Sequence, residues 1–472
     1  MPMGSSLWLD ETATVFVARN GANHPSLAAA APQAWKSIYY PVARVFESLF
    51  GFSEVSYRIP SVLAMAGAVF LVARLAARLI HPGAAWFAVF ACLAVSRVNY
   101  CAADARPYAL GMLAIAASLI LLVHWLDTGG WRWGIGFVAC AALLWQVHLL
   151  FWPGYLVFGA YTLARKTRGE TPVSWARIGT VFVALGLALT PVLLDAIALH
   201  REARAHVIAP PPSWRSLAGA LQLNVIAACG GGAWVLKQWR QWPPCPVPQR
   251  SAQVLIAAWW LCQPVCLFAY SRITGTTVFL PRYVSLSLPG AALAAVAAAA
   301  FWVPASQWKR LAVVVAAGVL TVQGHWSQLW PRHHNSDWRA AARVVNQAAV
   351  DPRTPVVCPS PYVEAVPPVW RADYPLPGLL YSHLAVYPVR GQTVLFPFAN
   401  SAQTDSTVLQ LSREILTKSD RFVVYGWEPQ VHYWRDWFSA HAEFAGWRLQ
   451  RLGPFADVDV WVFNAPSSEG RR

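Results

Sequence analysis

Charge is scarce in this 472-residue chain: 12% of residues are Asp, Glu, Lys or Arg, while 56% are hydrophobic and the mean hydropathy is +0.39. A soluble globular chain carries roughly a quarter charged residues. So few charges cannot cover a solvated surface of this size, which leaves lipid as the solvent for most of it. Acids are scarcer than bases, 22 against 37, for a net charge of +15. A basic chain can point to nucleic acid, but many of these cations stand in short loops between apolar runs. That placement orients a membrane protein, and it argues against a nucleic-acid partner. The 8 cysteines form no framework. Cys92, Cys101, Cys140, Cys229, Cys262 and Cys266 lie in or beside apolar runs, where a free Cys is a small buried hydrophobe. Cys262 and Cys266 are one helical turn apart, but two thiols alone make a poor metal site. Cys358 has no cysteine neighbour in the polar C-terminal region, which excludes a disulfide within it. Glycine-rich nucleotide loops, HExxH and GxSxG are also missing, so nucleotide-dependent chemistry has no support.

Long apolar runs are abundant. Stretches able to cross the roughly 30 Å hydrocarbon core occupy residues 59–80, 84–100 and 105–126. Two shorter runs, 132–147 and 149–164, read as a tight hairpin around His148. Further runs lie at 178–199, 217–236, 252–271, 283–303 and 311–329. The expected fold is therefore a polytopic α-helical membrane protein of about ten transmembrane helices. Alternate loops differ in cations: Arg74, Arg78, Arg132, Arg165, Lys166, Arg168, Arg177, Lys237, Arg240, Arg250, Lys309 and Arg310 form one set. The smaller set is Arg97, Arg106, Arg201, Arg204, Arg215, Arg272 and Arg282. The larger set is expected in the cytoplasm, which places both ends of the chain outside. Residues 1–58 then lie outside with no basic and apolar leader to carry them there, so a further helix is expected upstream of Met1, the alternative being unaided translocation of a short N-terminal tail oriented by later charges. The stretch 36–52 is apolar but short, with Arg44 and Glu47 inside it, and suits a helix lying in the interface.

From about residue 331 the composition turns polar. Ser336–Val350 reads as an amphipathic helix with Asp337 near its start. Residues 355–360, 421–427 and 457–463 read as short strands, and 407–420 as another helix. Three regions are expected: an external segment at 1–58, a multi-span core at 59–330 and an extracytoplasmic α/β domain at 331–472.

Asp10 and Glu11 are the most informative residues. They sit in SLWLDETATVFVAR, an otherwise apolar segment expected at the outer membrane surface. A carboxylate with few waters around it is a stronger base, suited to taking a proton from an attacking hydroxyl. The bland alternative is a helix N-terminus with acids in its first turn. A second group is Asp104, Arg106, Pro107 and Tyr108 at the outer start of a span. Pro107 suits a first helical turn and Asp104 an N-cap, which leaves Arg106 and Tyr108 at a depth where charge is usually functional. Arg58, in SYRIPS, and Arg282 beside Tyr283, in FLPRYVS, are further outer arginines. A guanidinium fork matches a phosphate, although simple snorkelling explains either one alone. His148 reads as a satisfied hairpin histidine, and His333–His334 as a solvated linker. The 26 Trp are spread among span ends and the C-terminal domain, as interfacial anchors are.

The order of SLWLDE, a His-Pro, a Tyr-Tyr run, FGFSEVSYRIPSVL, ADARPYAL and FLPRYVSLSLPG resembles the bacterial dolichyl-phosphate-mannose protein mannosyltransferase-like proteins. These are C-type membrane glycosyltransferases. The resemblance covers most of residues 6–305, and SDWRAAARVV and PVVCPSPYVEA resemble the family's C-terminal tails. It implies an inverting transfer from a polyprenyl-phosphate-linked sugar to a protein, lipid or glycan acceptor at the outer face of the inner membrane. It gives the catalytic base to Asp10, with Glu11 beside it, and places Asp104 and Arg106 in the same external cavity. Arg58 and Arg282 become contacts for donor phosphate or sugar, with Tyr108 and Tyr283 beside them. Some relatives hold a divalent metal near these acids; no cofactor is required by the sequence itself. Three departures stand out: thirteen residues separate His24-Pro25 from Tyr39-Tyr40, Asp stands where many relatives have Glu at 104, and the family's helix before the acidic pair is absent. A transporter or lipid flippase is the rival reading, and an inactive scaffold of the same fold a third.

Overall fold

A computed structural model of the chain describes residues 3–30, 32–33, 35–206, 210–243, 248–322, 336–349 and 351–466, with the side chains of 201–206 left out. His333–His334, the end of the run at 311–329 and the side chains of Arg201 and Arg204 lie outside the described residues. Contacts gather into two compact units. One comprises Lys36–Val42 with Arg58–Pro331; the other comprises Met3–Trp35 with Ala43–Tyr57 and Arg332–Arg472. Residues 3–35 and 43–57, read from sequence as part of a separate segment, thus fold with the C-terminal region.

The chain opens with α1 (Leu9–Asn20), α2 (Pro25–Ala30) and α3 (Tyr39–Phe50), followed by α4 (Glu54–Leu79), α5 (Ala85–Ala94) and α6 (Ser96–Ala102). Next come α7 (Tyr108–Thr128), α8 (Trp131–Val147), α9 (Gly154–Thr167), α10 (Trp175–His206), α11 (Trp214–Ala220) and α12 (Leu223–Arg240). The helical series continues with α13 (Arg250–Thr274), α14 (Leu288–Ala300) and α15 (Trp308–Val322). Among the described residues, α4, α7, α10 and α13 are long and apolar enough to cross a membrane.

Two of the ten apolar runs are broken rather than straight. The run expected at 84–100 bends by 81° between α5 and α6, and that at 217–236 by 54° between α11 and α12. At the first break Val95 leaves helical conformation at ψ 101°; at the second Gln222 takes φ 52°, ψ 38°. Hydropathy reads through a single residue that turns the backbone, so neither break shows in an averaged profile. Counting each bent pair once gives up to six crossings among the described residues, by length and composition. Helix α14 is 13 residues long, about 20 Å at 1.5 Å per residue, and falls short of the core thickness.

The outward side of the first unit explains the low charge. Only 17% of the most apolar stretch of α10 is buried, and Val183, Leu187 and Leu194 on it are exposed. An apolar helix facing outward needs an apolar solvent. Inside, α14 packs on α13 at a close approach. A Cβ on Gly290 would lie 2.7 Å from the backbone carbon of Trp259 and the backbone nitrogen of Trp260. Cations from the larger loop set meet at helix ends: Arg78 and Arg165 both pair with Asp127, each at 2.8 Å.

In the second unit α16 (Trp338–Ala348), α17 (Ser382–Val386), α18 (Asp405–Leu411) and α19 (Glu428–Ala440) accompany five strands. These are β1 (Pro355–Pro359), β2 (Gln392–Phe396), β3 (Arg421–Trp427), β4 (Arg448–Arg451) and β5 (Val458–Asn464), in the order β2-β1-β3-β5-β4. Strand β1 runs parallel to β2 and β3, while β5 runs antiparallel to β3 and β4. Side chains alternate along β3: Phe422 and Val424 join Val431, Trp434 and Phe438 of α19, whereas Tyr425 meets Trp338 of α16. Asp337 caps α16 by accepting from the Ala340 N–H at 3.1 Å, as its position before the amphipathic run leads one to expect.

Candidate functional site

The first unit brings together several of the residues singled out in the sequence. Arg58 stands on α4 with no exposed surface, two residues before Pro60. One turn on, the Ser61 hydroxyl donates to the Arg106 carbonyl at 3.3 Å and shares a 2.9 Å hydrogen bond with the Tyr39 hydroxyl. These contacts fix the turn at 103–107, between α6 and α7, against α4. Within the turn the Arg106 N–H donates to the Asp104 carbonyl at 2.7 Å. Asp104 is buried, as are Arg106 and Tyr108.

The turn corrects the capping expectation. Helix α7 begins at Tyr108 with Pro107 as N-cap and no side-chain cap. Pro107 precedes the helix, and its carbonyl accepts the Gly111 N–H at 3.0 Å. Asp104 is therefore not the cap of α7.

His148 has a larger place than a hairpin histidine needs. Its Nδ1 does accept the Leu150 N–H at 3.2 Å, closing the bend between α8 and α9. The ring also lies 5.9 Å from that of Tyr108 and 5.4 Å from that of Tyr283. The positive charges of Arg106 and Arg282 also bear on the ring. The guanidinium of Arg282 stands 5.2 Å over the Tyr283 ring. Arg106, Tyr108, His148, Arg282 and Tyr283 thus form one neighbourhood. Sequence reasoning left His148 out because a lone histidine beside an apolar run carries no spacing signal.

Helix α13 sets the position of the Arg282 segment. The Gln263 amide donates to the Tyr283 carbonyl at 2.7 Å and accepts the Ser287 N–H at 3.1 Å. The Trp259 indole donates to the Leu286 carbonyl at 2.8 Å. Gln263 is a second residue the sequence did not signal; a polar side chain within an apolar helix is its only trace.

The acidic pair belongs to the second unit. Both acids lie in the first turn of α1, as the bland alternative anticipates. Their surroundings differ. Glu11 is fully buried and its carboxylate accepts the Trp8 N–H at 3.2 Å, one half of a capping box. Asp10 is half-buried. The helix is fastened on both flanks. The Leu7 N–H donates to the Tyr387 hydroxyl at 2.9 Å, Thr12 and Ser382 share a 2.9 Å hydroxyl hydrogen bond, and the Tyr362 hydroxyl donates to the Leu9 carbonyl at 3.4 Å.

The far end of α1 meets a charged cluster. Arg19 donates to Glu47 at 2.9 Å, as do Arg44 at 2.6 Å and the Tyr57 hydroxyl at 2.5 Å. Burial alone raises the Glu47 carboxyl, but the hydrogen bonds from Arg19, Tyr57 and Arg44 outweigh it and leave the pKa below its ordinary value. Val45, Leu49 and Phe50 on the same helix are exposed, so α3 carries an apolar outer face and a buried ionic inner one.

Among the described residues, Glu428, His432 and Asp459 are the group with metal-ligand spacing. Arg451 already pairs with both acids, at 3.3 Å to Glu428 and 2.9 Å to Asp459, and the Trp461 indole donates to Asp459 at 2.9 Å. A guanidinium supplies there the charge a cation would bring, so these residues do not fit a metal.

Residues 38–194 match the family described as dolichyl-phosphate-mannose-protein mannosyltransferase. No curated protein matches the sequence. Among solved structures, the chain resembles ArnT from Cupriavidus metallidurans bound to undecaprenyl phosphate, with a TM-score of 0.55 and 14% identity, covering 98% of this chain and 94% of that one. The apo state of the same ArnT gives a TM-score of 0.53 at 14% identity, covering 97% and 94%. At such identity the likeness is one of fold. Residues 38–194 are thus similar to the dolichyl-phosphate-mannose-protein mannosyltransferase family, and the fold shared with ArnT extends along almost the whole chain.

Proposed function

We propose that the chain is an inverting glycosyltransferase that moves a sugar from a polyprenyl-phosphate carrier to an acceptor hydroxyl at the outer face of the membrane. The observation that carries this reading is the gathering of Arg106, Arg282, Tyr108 and Tyr283 around His148. Arginines at membrane depth are costly and usually serve an anion, and a lipid phosphate is an anion suited to two guanidinium forks. The fold supports the reading, since the ArnT it resembles was solved with undecaprenyl phosphate.

In this mechanism Asp10 takes the proton from the acceptor hydroxyl as that oxygen attacks the anomeric carbon. The bond to the carrier phosphate breaks on the opposite side, and the phosphate leaves with the electron pair. Arg58, Arg106 and Arg282 stabilise the negative charge that grows on it. Tyr108 and Tyr283 line the donor's path, and Asp104 orients Arg106. The C-terminal α/β domain stands on the outer side in the inner membrane of the cell envelope.

A transporter is the second reading, favoured by the bends between α5 and α6 and between α11 and α12, because broken helices line transport sites. Reconstitution with a radiolabelled polyprenyl-phosphate sugar decides between them. Label that moves to an acceptor, and stops moving in Asp10→Asn, supports transfer; label that crosses the vesicle wall still attached to its carrier supports transport.

A further inference from the structure

The second unit holds a groove of about 390 Å³ that the transfer reaction does not use. Its walls come from α16 and the segment after α17, and its lining includes Arg339, Arg343, Asn346, Gln347, Tyr387 and Arg390. The volume is within the range of small-molecule sites. Three guanidinium groups face it. Arg339 is partly offset, donating to Glu54 at 2.9 Å. Arg343 and Arg390 are exposed and have no acidic partner among the described residues.

The arginines are placed by the backbone rather than by chance proximity. Arg339 and Arg343 are four residues apart on α16, hence on one face of it. Asn346, the next residue but two, holds the loop that carries Arg390. Its amide oxygen accepts the Arg390 N–H at 2.7 Å, and its amide nitrogen donates to the Pro388 carbonyl at 3.2 Å. The Tyr387 hydroxyl, which accepts from Leu7 and donates to Glu54 at 3.0 Å, fixes the same loop from its other side. A loop pinned at three points fixes the backbone that carries Arg390 beside the helix that carries Arg343.

We propose that this groove binds a phosphate-bearing ligand, clasped between Arg343 and Arg390, with Arg339 and the Gln347 amide at its edge. Two planar forks converging on one groove match the tetrahedral oxygens of a phosphate monoester or diester. A carboxylate offers fewer oxygens to such a pair. The phosphate can belong to a lipid headgroup or to a soluble phosphoester, and both arms are tested.

The full-length protein in uncharged detergent is titrated with inorganic pyrophosphate and, separately, with water-soluble dibutyryl phosphatidic acid, each at two salt concentrations. Expected is saturable binding of at least one probe, weakened tenfold or more in Arg343→Ala/Arg390→Ala and weakened by salt in the wild type, since exposed charges are screened. Binding of the lipid probe alone assigns the site to a headgroup; binding of both assigns it to phosphoesters generally. Arg421→Ala, on an exposed strand end of the same unit, is the control and keeps wild-type affinity. The proposal is overturned if neither probe binds, or if the double variant, with an unchanged melting temperature, binds as the wild type does. Should the double variant melt early, Arg390→Lys, which keeps the charge but loses the fork, replaces it with the same expected direction.

Discussion

Asp10 and Glu11 are neighbours with unequal tasks. Glu11 is buried and spends its carboxylate on the N–H of Trp8, whereas Asp10 is half-buried at the start of a helix fastened on both sides. Asp10→Asn is expected to lower transfer by about 10²-fold or more, the usual contribution of a general base, with the melting temperature unchanged. Glu11→Gln keeps an oxygen for the Trp8 N–H and should keep both fold and most activity. Glu11→Ala loses the cap at a cost of about 1 kcal/mol, read as earlier melting without a proportionate loss of rate. If Asp10→Asn transfers normally while Glu11→Gln does not, the base is Glu11 and the capping interpretation fails. A parallel argument applies to Arg282. Lysine keeps its charge but not its fork, so Arg282→Lys should raise KM for the polyprenyl donor several-fold in steady-state assays and leave KM for the acceptor unchanged.

Elements position these residues, and Gly290 shows how tightly. A methyl there meets the backbone of α13 at 2.7 Å, so Gly290→Ala forces α14 away from α13 at a cost of about 1–3 kcal/mol. Trp259 and Gln263, on that same stretch of α13, hold the backbone at 283–287. The variant should therefore melt earlier and also bind donor more weakly; early melting with an unaltered donor KM would detach the Arg282 segment from α13. Much at this scale was legible in the sequence. The α4, α7, α10 and α13 runs, the cap at Asp337 and strands β1, β3 and β5 follow from apolar length, one acid before an amphipathic run and short β-rich stretches. Val95 and Gln222 break helices by single torsions, which no hydropathy average reports. Strand β4, Arg448–Arg451, is exposed throughout and lacks the alternation that marks an edge strand. Asp104 was read as a cap because Pro107 suits a first turn; a cap there would start the helix at residue 105, whereas α7 starts three residues later at Tyr108, and the acid lies outside it. Arg106, Arg282 and Tyr108 could be named from their type and position, but their neighbour His148 could be found only in three dimensions.

At the scale of the whole molecule, charge is rationed, and a buried ionisable group without compensation sets how the protein answers acid. His383 is fully buried in the second unit, stacked 4.3 Å from Trp338 and 5.8 Å edge-on from Tyr425. Burial lowers its pKa from 6.5 to about 3. Between those values the unfolded chain binds a proton that the folded chain does not. Stability therefore rises with pH across that window and falls as pH drops from about 6.5 toward 3, by at most about 1.4 kcal/mol per pH unit. Glu47 and Asp459, whose pKa values are lowered, act in the same direction. Their stabilisation is present above the ordinary carboxylate range and is lost as pH falls through their folded values. Acid sensitivity of the wild type alone therefore does not identify the histidine. His383→Leu removes the titration while keeping an apolar side chain against Trp338. Melting curves of the full-length protein from pH 7 to pH 5 separate the contributions, since the carboxylates remain ionised over that range. The wild type should lose stability there and His383→Leu should lose less, so that the two curves differ in slope. Parallel curves would mean that His383 gains a proton in the folded protein at little cost, and that its burial is relieved by water reaching the ring.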